Sequence, residues 1–308
     1  MSKMWLLRLH RWITLVLSIP LAVLIVTGLI LSVEPILTGS GARPGVVTAE
    51  RLDAVLAKHD PEAKARTLMV RAYAGTVSIG GAQRGDGLVH VDLASNERIE
   101  SPGALAGLLF ASRRLHEHLI AGFGWLVPVS TIAMLGLILI GILMGWPRLA
   151  NSLSGWHKGT GWFVLPLLIL SPLTGLLMTF GITFAAPPPR PAAGTAPIAM
   201  TEAIHIVGAS YDLARVSWIR PRGGVTLARL DDGGEMRVFA VTRDGLLPTA
   251  RNWPRLIHEG NWSAIVPAPL NVITSVAMLL LISTGLWMWA RRKLRRRPAR
   301  TSPAPARA

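Results

Sequence analysis

Four long apolar blocks interrupt the chain, at about Trp12 to Val33, Leu119 to Trp146, Trp162 to Phe184 and Ala264 to Ala290. As helices rising about 1.5 Å per residue, they are long enough to span a bilayer. The first is longer than a signal-peptide core and runs into Glu34-Pro35, with no small-residue cleavage site, so it is expected to be retained. The stretches after the first and third blocks read as small folded domains. In the first, Thr48 to Lys58 predicts an amphipathic helix with Leu52, Val55 and Leu56 on one side and Thr48 as N-cap. Arg66 to Ala72, Thr76 to Gly80 and Leu88 to Leu93 have strand-like composition between glycine-rich turns. The second stretch repeats this plan, with a helix over Thr201 to Gly208 and strands over Arg215 to Ile219, Val225 to Leu230 and Met236 to Val241. Asp231-Asp232-Gly233-Gly234 is a hairpin turn signal.

The predicted architecture is therefore a membrane all-α four-helix bundle with two small α+β domains, built as an internal tandem repeat. Its expected segments are helix 1 (1–34), first domain (35–112), helix 2 (113–147), a short loop (148–156), helix 3 (157–185), second domain (186–254), helix 4 (255–290) and a basic tail (291–308). Aligning the halves pairs Leu9-His10-Arg11 with Trp156-His157-Lys158, and Leu115-His116-Glu117 with Ile257-His258-Glu259. Repeats of this kind place a site at the interface between halves. Pro187 to Pro197 reads as an extended connector.

The alignment draws attention to four histidines, each at the head of an apolar block. Gly28 follows His10 by 18 residues and Gly175 follows His157 by the same 18. That spacing is about five helical turns and puts histidine and glycine on one face. Trp146 follows His116 by 30 residues and Trp289 follows His258 by 31, so these two also match in depth. The histidines sort into His10 with His157 towards one surface and His116 with His258 towards the other. A boundary histidine alone more often caps a helix or meets headgroups; four matched ones favour cofactor ligation from facing helices. Zinc would gather four ligands at one centre, whereas bis-histidine haem needs two at each. His118 competes with His116, but the alignment selects His116 and leaves His118 as a supporting or surface group. His59, His90 and His205 have no matched partners and are expected to be ordinary residues. Glu117 and Glu259, at equivalent positions, are candidates to contact ligands or close the outer face. Arg113, Arg114 and Arg255 are candidates to hold haem propionates or attract an anion, against the plainer reading that they mark the lipid boundary. Thr27-Gly28, Thr174-Gly175 and Thr284-Gly285 recur in three blocks, equally suited to close helix packing and to making room for a macrocycle.

Composition sharpens the picture. Hydrophobic residues make up 51% of the 308, too many for an ordinary soluble chain. The net charge of +15 would suit nucleic acid, but its distribution points to lipid. All 17 acidic residues fall within Glu34 to Glu117 or Glu202 to Glu259, while Lys3, Arg8, Arg11, Arg148, Lys158 and the arginine-rich tail occupy acid-free regions. Basic loops stay inside, so both termini and the middle loop are expected in the cytoplasm and the two domains on the outer, periplasmic side. The absence of cysteine excludes disulfides, iron–sulfur ligation, thiolate haem and covalent haem attachment, leaving haem b held by histidine or methionine. Ten tryptophans cluster at block ends, among them Trp5, Trp12, Trp125, Trp146 and Trp289, where interfacial anchoring is the commoner role.

Leu9-His10-Arg11-Trp12, Leu115-His116-x-x-Leu119, Trp146-Pro147-Arg148, Trp156-His157-Lys158 and His258-Glu259-Gly260, with the threonine–glycine pairs that follow, resemble the PepSY-associated transmembrane family over almost the whole chain. The resemblance implies PepSY-like outer domains, a place in the bacterial inner membrane, and kinship with iron-regulated proteins, some of them di-haem reductases of ferric siderophores. It carries the expectation of two haems b, on His10 and His157 and on His116 and His258, passing electrons to a periplasmic ferric complex to release ferrous iron. The electron donor would be a separate flavoprotein or a membrane quinol, because the flavoprotein module of some larger relatives is missing. The second half departs from the pattern, with Ile257-His258 in place of Leu-His. The alternative is a non-enzymatic PepSY-type sensor, assembly factor or transporter subunit with structural histidines. Helical rise separates the two pairs widely, so one fast electron step between them requires tilted helices or an intermediate carrier.

Overall fold

A computed structural model describes residues 2–41, 43–81, 87–120, 122–147, 150–188, 197–264 and 266–295. Arg148, most of the Pro187 to Pro197 connector and the tail beyond Arg295 lie outside the described residues. The chain runs α1 (Lys3–Val16), α2 (Ser18–Leu31), α3 (Glu34–Gly41), α4 (Ala49–His59), β1 (Thr67–Arg71), β2 (Thr76–Gly80), β3 (Val89–Asp92), β4 (Arg98–Ile99), α5 (Ala104–His118) and α6 (Leu126–Leu143). The second half follows with α7 (Leu153–Phe163), α8 (Leu165–Thr179), α9 (Met200–Gly208), β5 (Val216–Arg222), β6 (Val225–Asp232), β7 (Glu235–Thr242), β8 (Gly245–Pro248), α10 (Trp253–Glu259) and α11 (Pro267–Arg295).

Among the described residues, three helices are long and apolar enough to cross a membrane: Ser18–Gly41, Leu126–Leu143 and Pro267–Leu294. A fourth crossing forms if α7 and α8, bent by 64°, count as one span. Ile19 is 77% exposed and Phe163 89%, apolar side chains that only a lipid environment would cover favourably. The chain is a membrane protein.

The spans are more broken than the apolar pattern predicts. Pro20 lies at the third position of α2 and Pro166 at the second of α8, where a missing backbone N–H interrupts the preceding helix. Leu119 turns the chain after α5 at φ +53°, so His116 stands near the end of a separate helix and not at the head of α6. Likewise α10 ends at left-handed Gly260 (φ +70°), placing His258 on its own short helix before α11. A side chain at Gly260 is doubly disfavoured, since its β-carbon would stand 2.8 Å from Asn271 Nδ2.

The outer segments also differ from two separate domains. Both contribute to one eight-stranded antiparallel sheet, ordered β4-β3-β2-β1-β5-β6-β7-β8. The first strands of the two halves meet at the centre, with Leu68 opposite Ile219 and Met69 opposite Trp218. Pairing removes the open edge that each half alone would expose. It also buries a single core: Leu68, Val77 and Val91 from one half pack with Ile219, Leu230 and Val241 from the other, beneath Leu52 and Val55 of α4 and Ile204 and Val207 of α9. Thr48 caps α4 as predicted, accepting from Arg51 N, and Gly233 and Gly234 make the predicted β6–β7 turn at positive φ. Strands β4 and β8, short additions at the sheet's two edges, extend the predicted set.

Candidate functional site

The bundle packs by a rule used four times. Helix α5 lies against α2, α10 against α8, α7 against α11 and α1 against α6. Each contact sets one of the four matched histidines against a different apolar helix, and together they assemble two pairs. His10 and His157 face each other with ring centres 6.4 Å apart, close to perpendicular at 87°. His116 and His258 stand 6.0 Å apart, inclined by 44°.

The threonine–glycine pairs are where three of these histidines rest. Thr27 Oγ1 lies 3.1 Å from His116 Nδ1, Thr174 Oγ1 3.2 Å from His258 Nδ1, and Thr284 Oγ1 2.8 Å from His157 Nδ1. The adjacent glycines allow the rings in: a β-carbon at Gly28 would stand 3.2 Å from His116 Cε1, at Gly175 2.9 Å from His258 Cε1, and at Gly285 3.6 Å from His157 Cε1. Sequence reasoning weighed these pairs as packing or as space for a macrocycle; they also hold the ligand candidates. Their recurrence 17 residues after His10 and after His157 was the available signal.

The hydrogen bonds assign the tautomer. Backbone carbonyls, which only accept, lie 3.0 Å from both outer Nδ1 atoms: Leu24 O at His116 and Ser171 O at His258. Each threonine hydroxyl spends its single proton on a carbonyl one turn back, Thr27 on Val23 (2.6 Å), Thr174 on Leu170 (2.7 Å) and Thr284 on Leu280 (2.5 Å). Its oxygen is then an acceptor for Nδ1–H. The proton therefore sits on Nδ1 of His116, His258 and His157, and the Nε2 lone pair remains for a ligand, as in metal-binding histidines whose other ring nitrogen is tied back. His10 differs: its Nδ1 is buried and has no hydrogen-bond partner.

The pair spacing leaves room for a metal held by both rings. With metal–imidazole bonds of about 2.0 Å and a nitrogen about 1.2 Å from its ring centre, two imidazoles holding one metal would have their centres about 6.4 Å apart. Among the described residues no group of three or more His, Asp or Glu could hold a bare metal ion, so the zinc alternative has no matching cluster. Asn271 Nδ2, on α11, donates to His258 O at 2.9 Å. Thirteen residues further along the same unbroken helix, Thr284 meets His157. A straight helix thus separates the two pairs by about 20 Å. Ile25, Val164, Leu168, Ala277 and Met278 form a buried apolar cluster within the bundle.

Residues 7–292 match the family described as PepSY-associated TM region. The chain belongs to that family. No curated protein matches it. Membership of the PepSY-associated family agrees with the membrane helices, and the quasi-symmetric arrangement of histidines described above gives this member its candidate site.

The remaining candidates differ in their surroundings. Glu259 is nearly buried between Arg229 of β6 and Arg255, and accepts from Asn261. Burial alone would push the Glu259 carboxyl up, but Arg229, Arg255 and Arg113 together bring it down to about 2. It therefore clamps the sheet to the helix that carries His258. Glu117, its partner by alignment, is more exposed and lies 3.7 Å from His118 Nε2. Arg113 pairs with Glu34. Both Arg113 and Arg255 are thus engaged by carboxylates, and Arg114 is exposed without a described partner. The unmatched histidines each meet a neighbour within the sheet domain: His59 Nε2 lies 3.2 Å from Asn96 O, His90 Nδ1 2.7 Å from Ser78 Oγ, and His205 Nε2 2.7 Å from Asp53 Oδ2. Arg229 escaped sequence reasoning because it reaches Glu259 from a distant strand.

Proposed function

We propose that the protein is a b-type di-haem electron carrier of the bacterial inner membrane that reduces a ferric complex, a ferric siderophore above all, on the side of the sheet domain. The observation that supports this best is the facing of His10 with His157 and of His116 with His258, at 6.4 and 6.0 Å between ring centres. His10 and His157 would hold the inner haem and His116 and His258 the outer one. Bound haem supplies reversible one-electron chemistry, while the protein supplies ligands, orientation and a low-dielectric setting.

The chain's own residues have distinct tasks. Thr27, Thr174 and Thr284 keep the proton on Nδ1 of their histidines. The apolar cluster of Ile25, Val164, Leu168, Ala277 and Met278 keeps the bundle interior dry. Exposed Arg114, two residues before His116, supplies a positive charge towards which an anionic complex is drawn. One electron reduces one ferric ion, and a quinol or reduced flavoprotein restores it from the other side. Ferrous iron then leaves a chelator that grips it less tightly.

Purified protein should show a reduced-minus-oxidised b-type spectrum and two haems per chain. A colourless protein that takes up no haem would defeat the reading and favour a sensor, assembly factor or transporter subunit. In proteoliposomes loaded with reductant, ferric siderophore added outside should yield ferrous iron there, and His10→Ala should stop it. Normal rates in that variant would exclude electron transfer through the inner site.

A further inference from the structure

The four histidine contacts follow one pattern with a single exception. The ring of each histidine faces a backbone carbonyl: Leu24 for His116, Ser171 for His258, Leu281 for His157 and Leu137 for His10. Three residues after that carbonyl stand Thr27, Thr174 and Thr284, each followed by glycine. Three residues after Leu137 stands Ile140, also β-branched, also buried and also followed by glycine, Gly141. The fourth place keeps the shape of the motif and loses its hydroxyl. His10 Nδ1 is the one ring nitrogen of the four that is buried without a hydrogen bond, and a β-carbon at Gly141 would meet nothing within 4 Å.

We propose that Thr27, Thr174 and Thr284 are positioning residues that set the donor strength of His116, His258 and His157, and that Ile140 withholds this support from His10, making the inner haem site electronically unequal to the outer. The proposal rests on the two-haem reading and goes beyond it. A histidine that donates Nδ1–H to an acceptor is a more basic ligand and stabilises the ferric state, lowering the reduction potential. Both outer ligands have a threonine oxygen at Nδ1 in addition to a carbonyl; of the inner pair only His157 has one, and His10 faces the Leu137 carbonyl alone. The site is tuned through an absence, at a position where a threonine would fit the local pattern, and the inner haem stands at a higher potential than its threonine-supported counterpart would.

Equilibrium redox titration of the purified, haem-loaded protein tests this, with the inner component identified as the one missing from His10→Ala. Ile140→Thr should lower the inner midpoint and leave the outer unchanged. Thr284→Val, similar in shape but lacking the hydroxyl, should raise the inner midpoint, and Thr284→Ser should restore it. Thr27→Val and Thr174→Val should raise the outer midpoint alone. If the wild-type protein binds no haem, the two-haem reading falls and this proposal with it. If haem is bound and Ile140→Thr leaves the inner midpoint where it was, this proposal alone is wrong. A Thr284→Val defect that Thr284→Ser fails to rescue would equally overturn it, by making Thr284 a packing residue only.

Discussion

His258 presses its Cε1 atom to within 2.9 Å of where a β-carbon on Gly175 would stand, whereas His157 leaves 3.6 Å at Gly285. The first distance is shorter than real β-carbon contacts allow; the second is ordinary van der Waals contact. On the proposed two-haem reading, Gly175→Ala should therefore push His258 out of line and lower haem content by about half, while Gly285→Ala should leave it unchanged. Pyridine haemochrome assay per mole of chain measures the difference, and equal haem content in the two variants would contradict it.

Each histidine pair should behave as a separate unit. The unbroken α11 separates the pairs by about 20 Å, so His10→Ala and His116→Ala should each halve the haem content and leave the other component's spectrum and midpoint unshifted. Loss of both haems from either single variant would mean that the pairs are not independent.

The pairing of His10 with His157 and of His116 with His258 is legible in the sequence because both halves repeat it. The expected shared helix face of each inner histidine and the glycine 18 residues on does not form, since the helix breaks between α1 and α2 and between α7 and α8. Gly28 and Gly175 receive His116 and His258 instead. The breaks in the helices are less legible. Leu119 adopts a positive φ that its residue type does not announce, and Gly260 ends α10 inside a stretch that reads as the approach to an apolar span. The union of two small domains at β1–β5 leaves no local trace either, since it joins Leu68 to Ile219 across about half of the chain. Glu117 and Glu259 show the limit of repeat alignment. The positions correspond, but only Glu259 has Arg229 reaching it from the sheet.

That clamp carries a stability prediction. Arg229 and Glu259 have side chains only 15% and 12% exposed. Removing one partner of such a buried pair typically costs about 3–5 kcal/mol, because the other charge is left stranded. Arg229→Ala should lower the thermal midpoint in detergent, softened by the remaining Arg255 contact, and Arg229→Lys should recover part of the loss. Exposed Lys64→Ala, which loses a solvent-facing pair with Glu62, should change little.

The shared core predicts that the outer halves open together. Leu68 and Ile219 are both fully buried at the seam between them. Leu68→Ala should cost about 2–5 kcal/mol through lost burial and the cavity left behind. Hydrogen exchange should then speed up in β6 and β7 as well as in β1 and β2, because all pack on the same core. Faster exchange confined to the first half would mean that the sheet, though continuous, behaves as two domains.

The placement of charge predicts which side that sheet occupies. No acid lies before Glu34, between Glu117 and Glu202, or after Glu259. Basic segments at the termini and middle loop should therefore remain inside, with the sheet domain outside. The chain contains no cysteine, so a single introduced thiol reports its own location without background. Exposed Ala94, in the turn between β3 and β4, and exposed Ser2, before α1, are suitable positions. In intact cells a membrane-impermeant maleimide should label Ala94→Cys readily and Ser2→Cys only after the membrane is opened. The reverse pattern would invert the topology and move the His116 and His258 pair to the cytoplasmic face, leaving the proposed outward reduction without its exit.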